Sequence, residues 1–151
     1  MKLGMRYGNH SFSHPHVANI NYERNIEEIV KTSEAVKAIT GEGTRLYRGP
    51  YGEYNDTVIR AARSANHVAI QWNIDSLDYR SLTGEEMWGR IQPKLINGSI
   101  ILMHSGTEHT ATSLDMLITN IKEAGFEIVR VSDIILTENY TIDHAGVQQK
   151  N

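Results

Sequence analysis

Three of the chain's seven histidines fall within seven residues, at His10, His14 and His16. Two imidazoles four positions apart can meet one metal ion if the backbone between them makes a single helical turn, because positions i and i+4 share a face. Alone, such a pair is a weak signal that polar loop residues would satisfy equally well. Further along stand Arg48, Asp75, Asp78 and His104. All are polar side chains able to do chemistry, the imidazoles as metal ligands or proton carriers.

The elements that must position them can be read from the pattern. Strands are expected at Met5–Asn9, Thr44–Tyr47, His67–Ile74, Ser99–Met103 and Phe126–Val131. Helices are expected from Tyr22 to Ile39, from Asp56 to Ala65, from Thr83 towards Ile96 with Pro93 kinking or shortening it, and from Ala111 to Ala124. Asn21 and Asn55 suit N-caps, Thr83 with Glu86 forms a capping box, and Gly41 and Gly125 end their helices. The β-α alternation predicts a parallel sheet with right-handed crossovers. Four successive strands then end in His10/His14, Arg48, Asp75/Asp78 and His104, each step close to one β-α unit of ~30 residues. In a parallel array those ends share one side, as on the active face of a β/α barrel.

A length of 151 residues fits one domain, and 40% hydrophobic with 22% charged residues is ordinary globular composition. The net charge of -3 gives no electrostatic case for nucleic acid or an anionic membrane. Without cysteine there are no disulfides, thiolate nucleophiles or thiolate metal sites. No apolar run reaches the ~18 residues of a membrane span, and no signal peptide is visible. The stretch 138–151 is polar and is expected to fray as a tail behind a domain of residues 1–137.

The chain resembles the polysaccharide deacetylases of carbohydrate esterase family 4, the NodB-homology domain. The family's H-S/T-x-x-H-P motif matches His10-Ser11-Phe12-Ser13-His14-Pro15, and R-x-P-Y-G matches Arg48-Gly49-Pro50-Tyr51-Gly52. D-x-x-D-W matches Asp75-Ser76-Leu77-Asp78, with Tyr79 in place of tryptophan, and L-x-H matches Leu102-Met103-His104. The family's opening T-F-D-D-G has no counterpart, and no Asp-Asp pair occurs anywhere in the sequence. The resemblance therefore implies an α/β fold: a partial, distorted (β/α) barrel with parallel strands, lacking the first two strands of the family fold. Two open strand edges, at Met5–Asn9 and Phe126–Val131, are expected to drive homo-oligomerisation.

The resemblance implies a metal-dependent hydrolase that removes N-acetyl groups from an amino-sugar polymer such as peptidoglycan or chitin. His10 and His14 would be metal ligands, for zinc or else cobalt or nickel. The missing aspartates are the family's base and third ligand, so activity is expected to be impaired and the metal weakly held or absent. His16 and Asp56 are the substitutes at hand. His104 would be the general acid with Asp78 as its partner, and Arg48's family counterpart holds the base. Tyr51 would offer its backbone N–H to the oxyanion, Leu102 would wall the acetyl pocket, and Asp75 would contact substrate. The expected partner is an acetylated polysaccharide, in keeping with the extracellular or cell-wall setting of most family members. The alternative is a non-catalytic remnant that binds carbohydrate or protein.

Overall fold

A computed structural model of the chain describes residues 5–151. Two compact units are present. The first runs to Gln71 and includes Leu136–Asn151; the second is Trp72–Ile135.

In the first unit, β1 (Leu46–Tyr47) pairs in parallel with β2 (Val68–Ala69), Leu46 opposite Val68. On the other side of β1, Asn9 bridges Tyr47, donating to the Leu46 carbonyl at 2.8 Å and accepting from the Arg48 N–H at 2.9 Å. The chain thus lays the start of the histidine loop directly beside Arg48. Two helices cover this ribbon: α1 (Tyr22–Thr40) and α2 (Asp56–Ser64). Asn21 caps α1 by accepting from the Arg24 N–H, and Asn55 caps α2 by accepting from the Val58 N–H. Gly41 ends α1 at φ 82°, a conformation open to glycine at little cost. The core between them is Val17, Ile29, Tyr47, Val58 and Ala62. Burying a side chain such as Ile29 or Val58 contributes about 1.5–3 kcal/mol.

The second unit repeats the β-α-β arrangement. β3 (Ile74–Asp75) pairs in parallel with β4 (Ile101–Leu102), Asp75 opposite Leu102. α3 (Gly84–Ile91) starts at the full capping box of Thr83 and Glu86, and Pro93 lies in the 3-10 turn Gln92–Lys94 that follows. α4 (Thr110–Glu123) is followed by Gly125 at φ 88°. Ile74, Met87, Ile91 and Leu117 form the core. Among the described residues no helix is long and apolar enough to cross a membrane.

Several expectations are corrected. The run His67–Ile74 is not one strand but two short ones, β2 and β3, in separate sheets. Between them polar side chains take over backbone pairing: Gln71 Nε2 donates to the Gly52 carbonyl, and Asn73 Oδ1 accepts from the Ile100 N–H. Ser99–Met103 is less buried than its apolar run suggests, with Leu102 its one buried residue. Phe126–Val131 forms no ladder, and Ile128 and Val129 are exposed. Strand propensity reflects a half-buried pleated surface, which this segment lacks. Met5–Asn9 likewise contributes only the Asn9 bridge. The two open edges expected to drive self-association are therefore not present as strands among the described residues.

The polar tail does not fray. It forms a hairpin, β5 (Tyr140–Ile142) antiparallel to β6 (Gln148–Lys150). Asp143 shapes its turn by accepting from the Ala145 and Val147 N–H groups. Within the first unit the hairpin is held by Tyr54, whose hydroxyl donates to the His144 carbonyl at 3.0 Å, and by Arg63 over the Tyr140 ring.

One buried histidine belongs to this frame. His67 donates through Nδ1 to the Ala65 carbonyl, so its Nε2 accepts from the Thr44 hydroxyl at 2.7 Å, and Thr44 in turn accepts from Asn9. Burial pushes the imidazole's pKa below its ordinary 6.5 and keeps it neutral, against the pull of the Ala65 carbonyl. Below that pH the unfolded chain binds more protons than the folded one, so stability falls as pH drops from 6.5. The urea midpoint should decline between pH 7.5 and 5.5, and His67→Gln should flatten that decline. An equal decline in both proteins would contradict the assignment.

Candidate active site

The histidine loop is held from below by two buried polar side chains. Asn9, 2% exposed, donates to the Ile29 carbonyl and accepts from the Ser11 N–H. Glu28, fully buried on α1, accepts from the Phe12 N–H at 2.8 Å and from the Ser13 N–H and hydroxyl, each at 2.7 Å. Arg24 donates to the same carboxylate at 2.7 Å. Burial alone would push the Glu28 pKa up, but the bonds from Ser13 and Phe12, with Arg24, bring it below the ordinary carboxylate value. The loop is not the single helical turn that would set positions i and i+4 on one face. It reverses through Ser11 (φ 67°) and His14 (φ 55°), left-handed positions costing about 1 kcal/mol or more each for residues with a Cβ.

The outcome is a pair of imidazoles with ring centroids 5.0 Å apart, set edge to face. The Nδ1 of His10 lies 2.6 Å from the Arg48 carbonyl. A carbonyl only accepts, so Nδ1 carries the proton and Nε2 keeps its lone pair.

The turn that supplies this carbonyl is equally constrained. A Cβ on Gly49 would lie 2.2 Å from the Glu53 carbonyl oxygen, so only glycine fits. Tyr51 is left-handed, at φ 58° and ψ 13°. Its ring meets His14 edge-on at 4.8 Å and stacks on His16 at 4.2 Å. Arg48 is half-buried, and burial lowers its pKa.

In the second unit Asp78 is 1% exposed. It accepts from the His104 N–H at 2.6 Å, from His104 Nδ1 at 2.8 Å and from the Thr110 hydroxyl at 2.8 Å. Burial works against its charge, yet the two bonds from His104 and the one from Thr110 hold its pKa below the ordinary range. An ionised partner only accepts, so His104 carries its proton on Nδ1 and leaves Nε2 free of this pairing. Tyr79 meets the His104 ring edge-on at 5.5 Å.

The sequence profile described as polysaccharide deacetylase matches residues 1–70. A peptidoglycan-N-acetylglucosamine deacetylase of Bacillus cereus is 28% identical over 86% of this chain and 49% of its own length. The protein YlxY of Bacillus subtilis is 31% identical over 89% of this chain and 42% of its own length. The crystal structure of a carbohydrate esterase family 4 pseudoenzyme from Bacillus anthracis matches with a TM-score of 0.80 at 28% identity, over 84% of this chain and 45% of that one. The chain belongs to the polysaccharide deacetylase family. Its fold is the partial α/β barrel expected from the motifs. It spans less than half the length of the first curated relatives it matches.

In this deacetylase-family chain the expected residues fall into two groups. His10, His14, Arg48 and Tyr51 lie together in the first unit; Asp75, Asp78, Leu102 and His104 lie in the second. Asp75 uses Oδ1 to accept from the Leu77 N–H at 2.9 Å, a turn-shaping bond. Leu102 is buried, and its carbonyl accepts from the Ser76 hydroxyl at 2.8 Å. The donor set at His10 and His14 suits a borderline metal such as zinc, with neutral nitrogens and a carbonyl behind one ring. Among the described residues, no third histidine, aspartate or glutamate completes a ligand set, His16 and Asp56 included.

Sequence reasoning missed Asn9, Glu28, Glu53 and Thr110. Nothing local in the sequence singles out Glu28; only its position facing the loop distinguishes it. Glu28→Gln should lower stability by about 2–3 kcal/mol, since buried donors lose their charged acceptor. The sign with pH follows from its depressed pKa. The carboxylate's contribution is complete above its ordinary 4.5 and is lost as pH falls through the lower folded value. The acid limb of the stability profile should therefore be shallower in Glu28→Gln, and an unchanged limb would argue against the clamp.

Proposed function

We propose that this chain is the part of a metal-dependent deacetylase that carries two metal-binding histidines and the proton donor, acting on an N-acetylated amino-sugar polymer of the peptidoglycan or chitin class. The observation that carries this is the His10–His14 pair, with Nδ1 of His10 tied to the Arg48 carbonyl. A divalent metal held there would polarise the acetyl carbonyl and acidify a bound water.

The chain's own residues supply the remaining steps. The Tyr51 N–H donates to the oxygen as it gains charge. Water adds to the acetyl carbon and loses a proton to solvent; His104, held by Asp78 through Nδ1–H, acts as an imidazolium and gives its second proton, on Nε2, to the leaving nitrogen as the amide C–N bond breaks, releasing acetate and an amine. Leu102 borders the acetyl methyl, Asp75 contacts the sugar, and Arg48 supports the turn. The sequence contains no Asp-Asp pair to serve as the family's base and third ligand, so turnover by this chain alone should be slow.

A second reading is favoured by a specific likeness. The structural relative from Bacillus anthracis is described as a pseudoenzyme. A non-catalytic carbohydrate-binding role fits the same fold.

Acetate release from a chito-oligosaccharide with added zinc or cobalt separates the two. The deacetylase reading expects measurable release, reduced at least about 100-fold by His104→Ala and by His10→Ala. No release, with saturable sugar binding, supports the binding module. Release unaffected by both substitutions would overturn the assigned roles.

A further inference from the structure

Glu53 and His16 have no part in the chemistry above, yet both are joined to it. The Glu53 carboxylate grips the segment after the histidine loop with both oxygens. Oε1 accepts from His16 Nδ1 at 2.7 Å, and Oε2 accepts from the Ala18 N–H at 3.1 Å. The His16 ring, so fixed, lies nearly flat on Tyr51, with centroids 4.2 Å apart and an interplanar angle of 14°.

Tyr51 needs such support. Its left-handed backbone is unfavourable for a residue with a Cβ, and the residue is 59% exposed, so the core does not hold it. A strained residue persists only where its surroundings over-determine it. Among the described residues, none accepts a hydrogen bond from the Tyr51 N–H. The group is a donor set in place but left available.

We infer that Glu53 and His16 form a brace that positions Tyr51: the carboxylate aligns the His16 ring, the ring stack pins Tyr51 in its left-handed conformation, and this aims the Tyr51 N–H. That the N–H is aimed at an acetyl oxyanion rests on the deacetylase reading; the brace itself does not. A purely local role for Glu53, stabilising the 3-10 turn Val17–Asn19 through Ala18, would leave Tyr51 indifferent to the His16 ring.

The test begins with nitrogen-15 NMR on the full chain, without metal or substrate. The Gly52 and Glu53 amides close the turn on the Gly49 and Pro50 carbonyls, and the Ile59 amide, bonded to Asn55, serves as an internal reference. His16→Ala should speed exchange at Gly52 and Glu53 about tenfold and shift the Tyr51 amide, leaving Ile59 unchanged. His16→Phe keeps a flat ring and should restore most of the protection. Glu53→Ala should loosen the turn, whereas Glu53→Gln, which still offers a carbonyl oxygen to His16, should do so less. Unchanged exchange in His16→Ala, or no recovery in His16→Phe, would overturn the brace.

Acetate release supplies the second readout. An N–H that acts on the transition state predicts that His16→Ala lowers kcat about tenfold with KM within about twofold. If the wild-type chain releases no acetate, the deacetylase reading fails and the NMR arm alone decides the brace. If the wild type is active and His16→Ala loosens the turn without lowering kcat, the positioning role is refuted.

Discussion

A carboxylate taken out of water must gather donors, and in this chain two such carboxylates gather the histidine-bearing loops. Glu28 collects the Phe12 and Ser13 amides, the Ser13 hydroxyl and Arg24; Asp78 collects the His104 amide, its ring nitrogen and the Thr110 hydroxyl. Removing water from a charge is costly unless nearly every acceptor position is filled. That cost makes the arrangement specific: a loop that drifted would leave the charge bare. Each buried acid therefore sets a loop conformation that its sequence would not adopt unaided, including left-handed Ser11 and His14 in the first unit and Leu77 in the second.

The helices and short strands serve this device. Asn21 fixes where α1 begins and so fixes the depth at which Glu28 meets the loop. Asn9 bridges strand and loop, pairing its backbone with β1 while its side chain joins α1 to Thr44 and thence to His67. In the second unit Ser76 plays a similar part, its hydroxyl donating to the Leu102 carbonyl and accepting from the Asp78 N–H. Strands of two residues supply little rigidity on their own. Buried polar bonds supply it in their place.

The parts of the fold legible in the sequence were those with local causes. Asn21, Asn55 and the Thr83–Glu86 box each mark a helix start because the cap is made within three residues. Gly41 and Gly125 mark helix ends for the same reason. The residue types of the candidate site come from motif spacing. What escaped was non-local. Glu28 reaches the loop across fifteen residues and Asp78 reaches Thr110 across thirty-two, and no window of sequence reveals either pairing. The interruption of the run His67–Ile74 depends on Gln71 and Asn73 finding backbone partners far along the chain. Phe126–Val131 carries strand-forming residues without a neighbour to pair with, so propensity misled there.

The central physical claim is that the Glu28-clamped loop presents His10 and His14 to a single metal ion. X-ray absorption at the zinc edge of the zinc-loaded full chain tests it most directly. The expected spectrum shows nitrogen scatterers at about 2.0–2.1 Å with the outer-shell signature of two imidazoles, one of them lost in His14→Ala. A spectrum of oxygen neighbours without imidazole scattering, or one that His14→Ala leaves unchanged, would contradict it.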